Sequence, residues 1–331
     1  MGALTFTPSG IYCAAGDFYI DPWRPVDRAL ITHGHADHAR SGMGSYLATD
    51  IAAPVMRHRL GDIPIDAVRY GETRQIGGAT VSFHPAGHVP GSAQIRVEVA
   101  GEVWVASGDY KVVDDGLSTP FEPVPCHHFI TESTFGLPVF RWQPQDVIAR
   151  ELNGWWAACA AAGKTAFLGC YALGKAQRLL TLLNPDQGPI LTHTAIENTN
   201  AVLRGQGLRL PDTVPAGPDL TPKDHPGAIV LCPPSAIGSA WARKFGAQET
   251  GFASGWMALR GIRRRRAGDR GFVISDHADW PGLLDAIKAT QAENIYVTHG
   301  YTDIFSRYLN ENGWAAQVIP TEFGSEEEDA A

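Results

Sequence analysis

The sequence contains no run of 18 or more apolar residues, which excludes a conventional membrane-spanning helix. Its first residues, MGALTFTPSG, lack the basic-then-apolar order of a secretion signal. Together these absences lead to the expectation of a cytoplasmic protein. Cysteine is scarce: Cys13, Cys126, Cys159, Cys170 and Cys232 are odd in number, widely spaced and never arranged as CxxC. This pattern argues against both a disulfide framework and a thiolate zinc knuckle, so reduced, mostly buried thiols are expected. Positive charge is also short. A net charge of -8 does not suit a protein that simply coats nucleic acid, because non-specific affinity comes from Lys and Arg facing phosphates. Any basic surface must be local, and the candidate is LRGIRRRRAGDRG, with Arg260, Arg263, Arg264, Arg265, Arg266 and Arg270. The closing SEEEDAA reads as part of an acidic disordered tail, residues 323–331.

What is present points to an α/β chain. With 331 residues, 44% of them hydrophobic, there is enough material for more than one core. Short β-type runs bounded by Gly, Pro and Asp dominate the first part: RALIT (28–32), ATVSFHPAG (79–87), then AQIRVEV and EVWVAS around an Ala100-Gly101 turn. From Gln145 the texture changes. Val147, Ile148, Leu152, Trp155, Trp156 and Cys159 fall at helical spacing, followed by a strand TAFLG and a second helix ALGKAQRLLTLL. After the arginine run, GFVIS (271–275) and NIYVTH (294–299) are again short strands with histidines at or after their C-terminal ends, and WPGLLDAIKA between them is helical. The end resumes the style of the beginning. The expected organisation is therefore a split domain of residues 1–150 and 268–322, with residues 151–267 inserted as a domain of ordinary size.

The strongest chemical signal is His33-Gly34-His35-Ala36-Asp37-His38, directly after RALIT, where a loop leaving a strand aims side chains into one cleft. With 12 His, such an HxHxDH pattern is expected by chance only about 0.001 times in the whole chain. Imidazole nitrogen and carboxylate oxygen without thiolate suit zinc first and manganese second. Six residues cannot complete two coordination spheres. His88 in PAGHVPGS, Asp109 in ASGDY and His299 in VTHG are the next candidates, because each follows or ends a predicted strand as HGHADH does. Gly87 and Gly91 allow a tight loop around His88.

These motifs, taken in order, resemble the metallo-β-lactamase superfamily and its β-CASP branch of nucleic-acid processing enzymes. Asp21 in YIDP resembles the first motif, HGHADH the second, His88 in AGHVPGSAQ the third and Asp109 in SGDYK the fourth. Glu132 in ITESTFG, His277 in ISDHADW and His299 in VTHGYTD resemble the three β-CASP motifs, and ALGKAQRLL the start of the inserted domain. Within that branch, GDFYIDPWRPVDRALITHGHADHA and the short chain are similar to the bacterial DNA ligase-associated exonuclease family, whose gene cluster holds an ATP-dependent ligase and a helicase.

The resemblance implies an αββα sandwich with an inserted α/β domain and a two-metal phosphodiesterase site. One metal is then held by His33, His35, His88 and Asp109, and a second by Asp37, His38, Asp109 and His299. His277, oriented by Glu132, is the natural general acid because imidazole titrates near neutral pH, and Asp21 supports the histidine loop. The insertion is expected to help form a slot for single-stranded nucleic acid. Tyr171 and Lys175, at a strand-to-helix turn, are candidates for a terminal phosphate, with Ser235, Arg263 and Arg264 as further phosphate contacts. Trp241 and Trp256 are candidates for stacking bases. A small-molecule hydrolase of the superfamily has no use for Glu132 and His277, and an inactive scaffold is expected to have lost ligands. The serious rival to a DNA exonuclease is an RNA-processing enzyme, which the histidine at position 299 also fits; a chain that stops soon after His299 favours DNA.

Overall fold

Alternation along the strands decides the layering. The computed structural model describes residues 2–217, 219–266 and 268–319. In chain order, β1 (Thr5–Thr7), β2 (Gly10–Cys13), β3 (Phe18–Ile20), β4 (Arg28–Leu30), β5 (Ser45–Thr49) and β6 (Ile65–Val68) form one sheet in that spatial order. A helix, α1 (Ala52–Leu60), joins β5 to β6. The second sheet takes β7 (Thr73–Ile76), β8 (Ala79–Pro85), β9 (Ala93–Val99), β10 (Glu102–Ala106) and β11 (His128–Ser133). Leu30 points to an apolar layer shared with Phe83, Ile95, Trp104 and Ile130 of the second sheet. Its neighbours Ala29 and Ile31 point the other way, onto Ala53 and Met56 of α1. Neighbouring side chains on a strand serve opposite faces, so each sheet is covered on both sides.

The chain then enters a second unit. It holds α2 (Gln145–Ala161), β12 (Thr165–Gly169), α3 (Lys175–Leu182), β13 (Ile190–Thr192), α4 (Thr194–Gly205), β14 (Val214–Pro215), β15 (Ile229–Cys232), α5 (Ala240–Arg243), β16 (Gln248–Ala253), α6 (Arg260–Arg266) and β17 (Arg270–Phe272). Its sheet runs β14-β13-β15-β12-β16-β17 and every pairing is parallel. Ala166 and Leu168 face α2 and α3, whereas Phe167 faces Phe245 and Ala242. Afterwards α7 (Trp280–Thr290), β18 (Asn294–Gly300), α8 (Thr302–Glu311) and β19 (Ala315–Val318) return to the second sheet, whose order is β19-β18-β11-β10-β9-β8-β7. Phe129, Val105, Ile295 and Val297 on its outer face pack on Leu283, Ile287, Phe305 and Leu309 of α7 and α8. The first unit is thus an αββα sandwich.

The compact units are Met1–Arg141 with His277–Ala331, and Trp142–Asp276. The boundaries lie outside 151–267 because α2 contributes Ile148, Leu152, Trp155 and Trp156 to the core of the second unit, and Phe272 and Ile274 belong to that core as well. The expected strand GFVIS is shorter than its apolar run. β17 pairs only with β16, through Gly251 to Ala253, so the ladder stops at Phe272 and Ser275 lies beyond it. The acidic tail 323–331 lies outside the described residues. All five cysteines are free thiols, four of them buried. Among the described residues, no helix is long and apolar enough to cross a membrane.

Candidate metal centre

Parallel strands bring the candidate ligands to one edge of the sandwich. β4 lies between β3 and β5 and is parallel to both. In the second sheet, β10, β11 and β18 are mutually parallel, and β8 shares their direction because β8 and β10 each run antiparallel to β9. HGHADH follows β4, His88 follows β8, Asp109 follows β10, and Glu132 and His299 sit at the ends of β11 and β18. C-terminal strand ends are where such sheets gather function.

Each loop has its own fixings. The Arg59 guanidinium donates to the carbonyls of Gly34, His35 and Ala39 and so staples the histidine loop. The hydroxyl of Ser92 accepts from the N–H groups of His88 and Val89. Gly87 has φ +75°, and a Cβ there would stand 2.3 Å from the Lys111 carbonyl oxygen, so only glycine fits. His299 is the extra residue of a β-bulge: Glu132 pairs with Thr298 and Ser133 with Gly300, leaving His299 at φ +51°. A bulge re-aims a side chain at a strand end.

The side chains converge. His35 Nδ1 lies 3.1 Å from both His33 Nε2 and His88 Nε2. Asp109 Oδ2 lies 3.5 Å from His33 Nε2, 3.7 Å from His88 Nε2 and 3.3 Å from His38 Nε2. His38 Nε2 is also 3.5 Å from Asp37 Oδ2, and it is buried without a hydrogen-bond partner. Two donors held about 2.1 Å from one tetrahedral cation are themselves about 3.4 Å apart, so this spacing matches shared coordination. The donor set is imidazole and carboxylate, and these clusters can hold a divalent metal.

Proton positions follow from the hydrogen bonds behind the ligands. Asp21, left-handed at φ +42°, accepts the Thr32 N–H at 2.8 Å, the Thr32 hydroxyl at 2.6 Å and His38 Nδ1–H at 2.7 Å. Because Thr32 has spent its proton on Asp21, it can only accept from His33 Nδ1, 3.1 Å away. Both Nε2 lone pairs are thereby left facing the cluster. Thr32 was not among the sequence candidates; its only signal is its place between the strand and the first histidine.

Charge is arranged to suit a cation. Burial works against a charged His38 ring, but Asp109, Asp37 and Asp21 outweigh it and hold the ring well above the usual histidine range. Burial, reinforced by His38, pushes His33 well below that range. Asp109 is buried too, yet His38 and His277 hold its carboxyl well below the usual carboxylate range.

Beside this cluster stands a second pair. His277 Nδ1 lies 2.9 Å from Glu132 Oε2 and 3.1 Å from Oε1, both residues are buried, and Glu132 Oε1 accepts the Tyr110 N–H at 2.8 Å. His277 Nδ1 is thus committed to Glu132. The His277 ring lies 4.5 Å from that of His88. His299 stands further out: its ring stacks on His38 with centroids 5.2 Å apart, and among the described residues it falls in none of the ligand groups within 4.8 Å.

The nucleic-acid candidates lie in the second unit. Tyr171 is half-buried, and the N–H groups of Gly174, Lys175 and Ala176 already meet Gln177 Oε1, Leu173 O and Tyr171 O. The expectation that Lys175 offers an open ammonium to a terminal phosphate needs correction, since Lys175 is 5% exposed and its Nζ lies 2.9 Å from Asp276. Ser235, Arg263 and Arg264 are exposed. Trp256 is buried, and Trp241 donates to Ala216 O and packs edge-on against Phe167 and Phe245, so both aromatics serve the fold.

No family model matches the chain. Over 315 residues it is 30% identical to a protein of Opitutus terrae named "Probable DNA ligase", covering 94% of this chain but 30% of that one. It is 32% identical over 122 residues to "Endoribonuclease YSH1" of Saccharomyces cerevisiae, covering 36% of this chain and 15% of the relative. An "RNase J-like protein" of Methanocaldococcus jannaschii is 26% identical over 188 residues, 49% of this chain and 44% of that one. The chain thus spans less than half the length of these relatives. The fold is the metallo-β-lactamase sandwich with a β-CASP insertion. A crystal structure of a protein of unknown function from Enterococcus faecalis V583 shares the fold at a TM-score of 0.61 and 11% identity, over 90% of this chain and 80% of that one. The β-CASP form accounts for an inserted parallel sheet between β11 and α7.

Proposed function

We propose that this chain is a metal-dependent phosphodiesterase that cuts the nucleic-acid backbone, acting as an exonuclease on single-stranded DNA in repair. The carrying observation is the position of Asp109, whose one carboxylate oxygen lies 3.3–3.7 Å from three imidazoles, beside the buried Glu132–His277 pair. His33, His35 and His88 with Asp109 would hold one cation, and Asp37, His38 and Asp109 a second, with His299 completing it; zinc suits the donors best and manganese next. When bound, such cations would lower the pKa of a water nucleophile and offset charge on the phosphate oxygens. His277 Nε2 carries the proton that the departing 3'-oxygen needs, and Glu132 stabilises the charged ring before transfer. Asp21 and Thr32 keep the Nε2 lone pairs of His38 and His33 turned inward. The product carries a 5'-phosphate.

The choice of DNA is supported by the relative named a DNA ligase, which matches along nearly the whole chain. A ligase and a helicase are the proposed partners, in the cytoplasm. Exposed Ser235, Arg263 and Arg264 are the proposed backbone contacts. Relatives named endoribonuclease and RNase J-like favour a second reading, an RNA-processing enzyme. End-labelled DNA and RNA strands of one sequence, each with 5'-hydroxyl or 5'-phosphate, decide between them in zinc or manganese. Preferential loss of DNA is expected; preferential loss of RNA overturns the choice of sugar.

A further inference from the structure

The first unit carries a basic groove that the metal chemistry does not use. It lies beside the histidine loop, between Trp23, Arg24, Ala36, Arg40, Ser41 and Arg59, and none of the described residues that line it is acidic. In a chain of net charge -8, three arginines gathered without a carboxylate mark a place where a polyanion meets little repulsion. The acid that acts on the Arg59 guanidinium is Asp37, itself a candidate metal ligand. One end of the groove is the ligand loop, since Ala36 stands between His35 and Asp37. Trp23 also lines the cavity walled by Asp37, His38 and His299, so its indole lies between the candidate metal centre and the arginines.

These side chains are held in place. Pro22 and Pro25 flank Trp23 and Arg24 and restrict the backbone of the loop. The Trp23 N–H donates to the Ser9 carbonyl at 3.2 Å and the indole N–H to the Pro8 carbonyl at 2.7 Å. Arg40 Nη1 donates to the Trp23 carbonyl at 3.1 Å. The fixed indole is only half-buried, as is Arg40, whereas Arg24 and Arg59 are exposed. Arg59 comes from the last turn of α1 and spends Nε and Nη2 on the carbonyls of the histidine loop. Its Nη1 has no acceptor among the described residues, so two N–H groups of an anchored cation are left for an anion. An aromatic face beside fixed cations suits a single nucleic-acid strand: bases stack whatever their identity, and phosphates meet the charges.

We propose that this groove is a binding subsite for the strand adjoining the scissile phosphate, in which one base stacks on Trp23 and backbone phosphates pair with Arg24, Arg40 and Arg59. The proposal rests on the reading of the chain as a nuclease of single-stranded DNA. What the groove recognises is an internal phosphodiester backbone with its bases, not a terminal phosphate. None of these residues touches the reacting atoms, so their contribution is to affinity.

The test is fluorescence anisotropy with a labelled phosphorothioate deoxyoligonucleotide about 12 nucleotides long, which resists cleavage, titrated over a series of salt concentrations. Wild type is compared with Arg24→Gln, Arg24→Lys, Arg40→Gln, Trp23→Leu and Trp23→Phe, and with Arg307→Gln, which removes the same charge from exposed α8 outside the groove. Melting temperature is measured for every variant. Arg24→Gln and Arg40→Gln are each expected to weaken binding about 3- to 10-fold near physiological salt and to lower the slope of log Kd against log salt by about 0.7. Arg24→Lys keeps the slope. Trp23→Leu weakens binding about 5- to 100-fold with the slope unchanged, and Trp23→Phe restores most of it, because a ring is kept although the bond to Pro8 is lost. Arg307→Gln stays within about twofold. If Trp23→Leu does not fold, the salt slopes of the two arginine variants carry the test. Wild-type slopes or tighter binding in both arginine variants, or an equal loss in Arg307→Gln, overturn the proposal. If wild type binds the strand and the groove variants match it, only the subsite fails; if wild type does not bind it, the reading as a nuclease of single-stranded DNA fails as well.

Discussion

At the scale of single residues, the proposed metal site would depend on groups that never touch a cation. Thr32 gives its proton to Asp21 and accepts from His33, so one hydroxyl sets the tautomer of one ligand and steadies the carboxylate behind another. Thr32→Val keeps the shape and removes this link. Metal affinity should drop about 10- to 100-fold while the fold survives, as read by chelator competition; unchanged affinity removes Thr32 from the account. His277→Ala should lower turnover of the natural diester about 100-fold or more with metal content near that of wild type. Loss of metal would make His277 a ligand. The candidate ligands stood out in the sequence because HGHADH packs three histidines and an aspartate into six residues. Thr32 did not, since it belongs to no such cluster and its hydrogen bonds exist only because β3 and β4 pair in parallel and bring Asp21 alongside. Gly108 was hidden for the same reason: at φ +55° its Cβ would stand 2.6 Å from Thr32 Oγ1.

Among elements, what the chain pattern exposes is alternation, and what it hides is pairing. Strands Ala79–Pro85, Ala93–Val99 and Glu102–Ala106 lie where alternating apolar residues and the Ala100-Gly101 turn place them. Gln145–Ala161 follows its 3.6-residue apolar stripe. Apolar continuity misled at GFVIS, because a run of residues says nothing about whether a neighbouring strand is there to bond it. Lys175 misled differently: a turn into a helix resembles a phosphate cradle until the N–H groups are followed to their acceptors. The helix α4 carries its own half-buried network. Burial raises the Glu197 pKa, but hydrogen bonds from Thr192, Thr213, Asn200 and Arg204 outweigh it and leave the carboxyl below its usual range. A depressed folded-state pKa stabilises the native state above the unfolded value of about 4.3, and that contribution disappears as pH falls through the folded value. Glu197→Gln should therefore cost about 1–3 kcal/mol in urea melts near neutral pH. The gap to wild type should close on acidification below about pH 4; a gap independent of pH would mean that the ionised carboxylate is not what these donors hold.

For the molecule as a whole, the division into two units explains why candidate residues spread from His33 to His277 can gather in one place: they belong to one αββα sandwich whose chain is interrupted, not dispersed. The interruption itself was legible as a change of texture near Gln145 and a return after the arginine run. Its limits were not, because α2 and Ile274 join the inserted core by packing that no periodicity records. The proposed exonuclease activity needs an end, so covalently closed single-stranded DNA should survive while the linear strand of equal sequence is lost; equal loss of both would contradict the proposed end-dependence.

The central proposal is that Asp109 would serve two cations at once. Metal analysis of the purified chain, paired with cleavage of labelled single strands after chelation and after restoring zinc or manganese, tests it most directly. About two divalent ions per chain, cleavage that vanishes with the metal and returns with it, and an Asp109→Ala variant without activity are the predicted result. A metal-free chain that still cuts, or an Asp109→Ala variant at full rate, would contradict it.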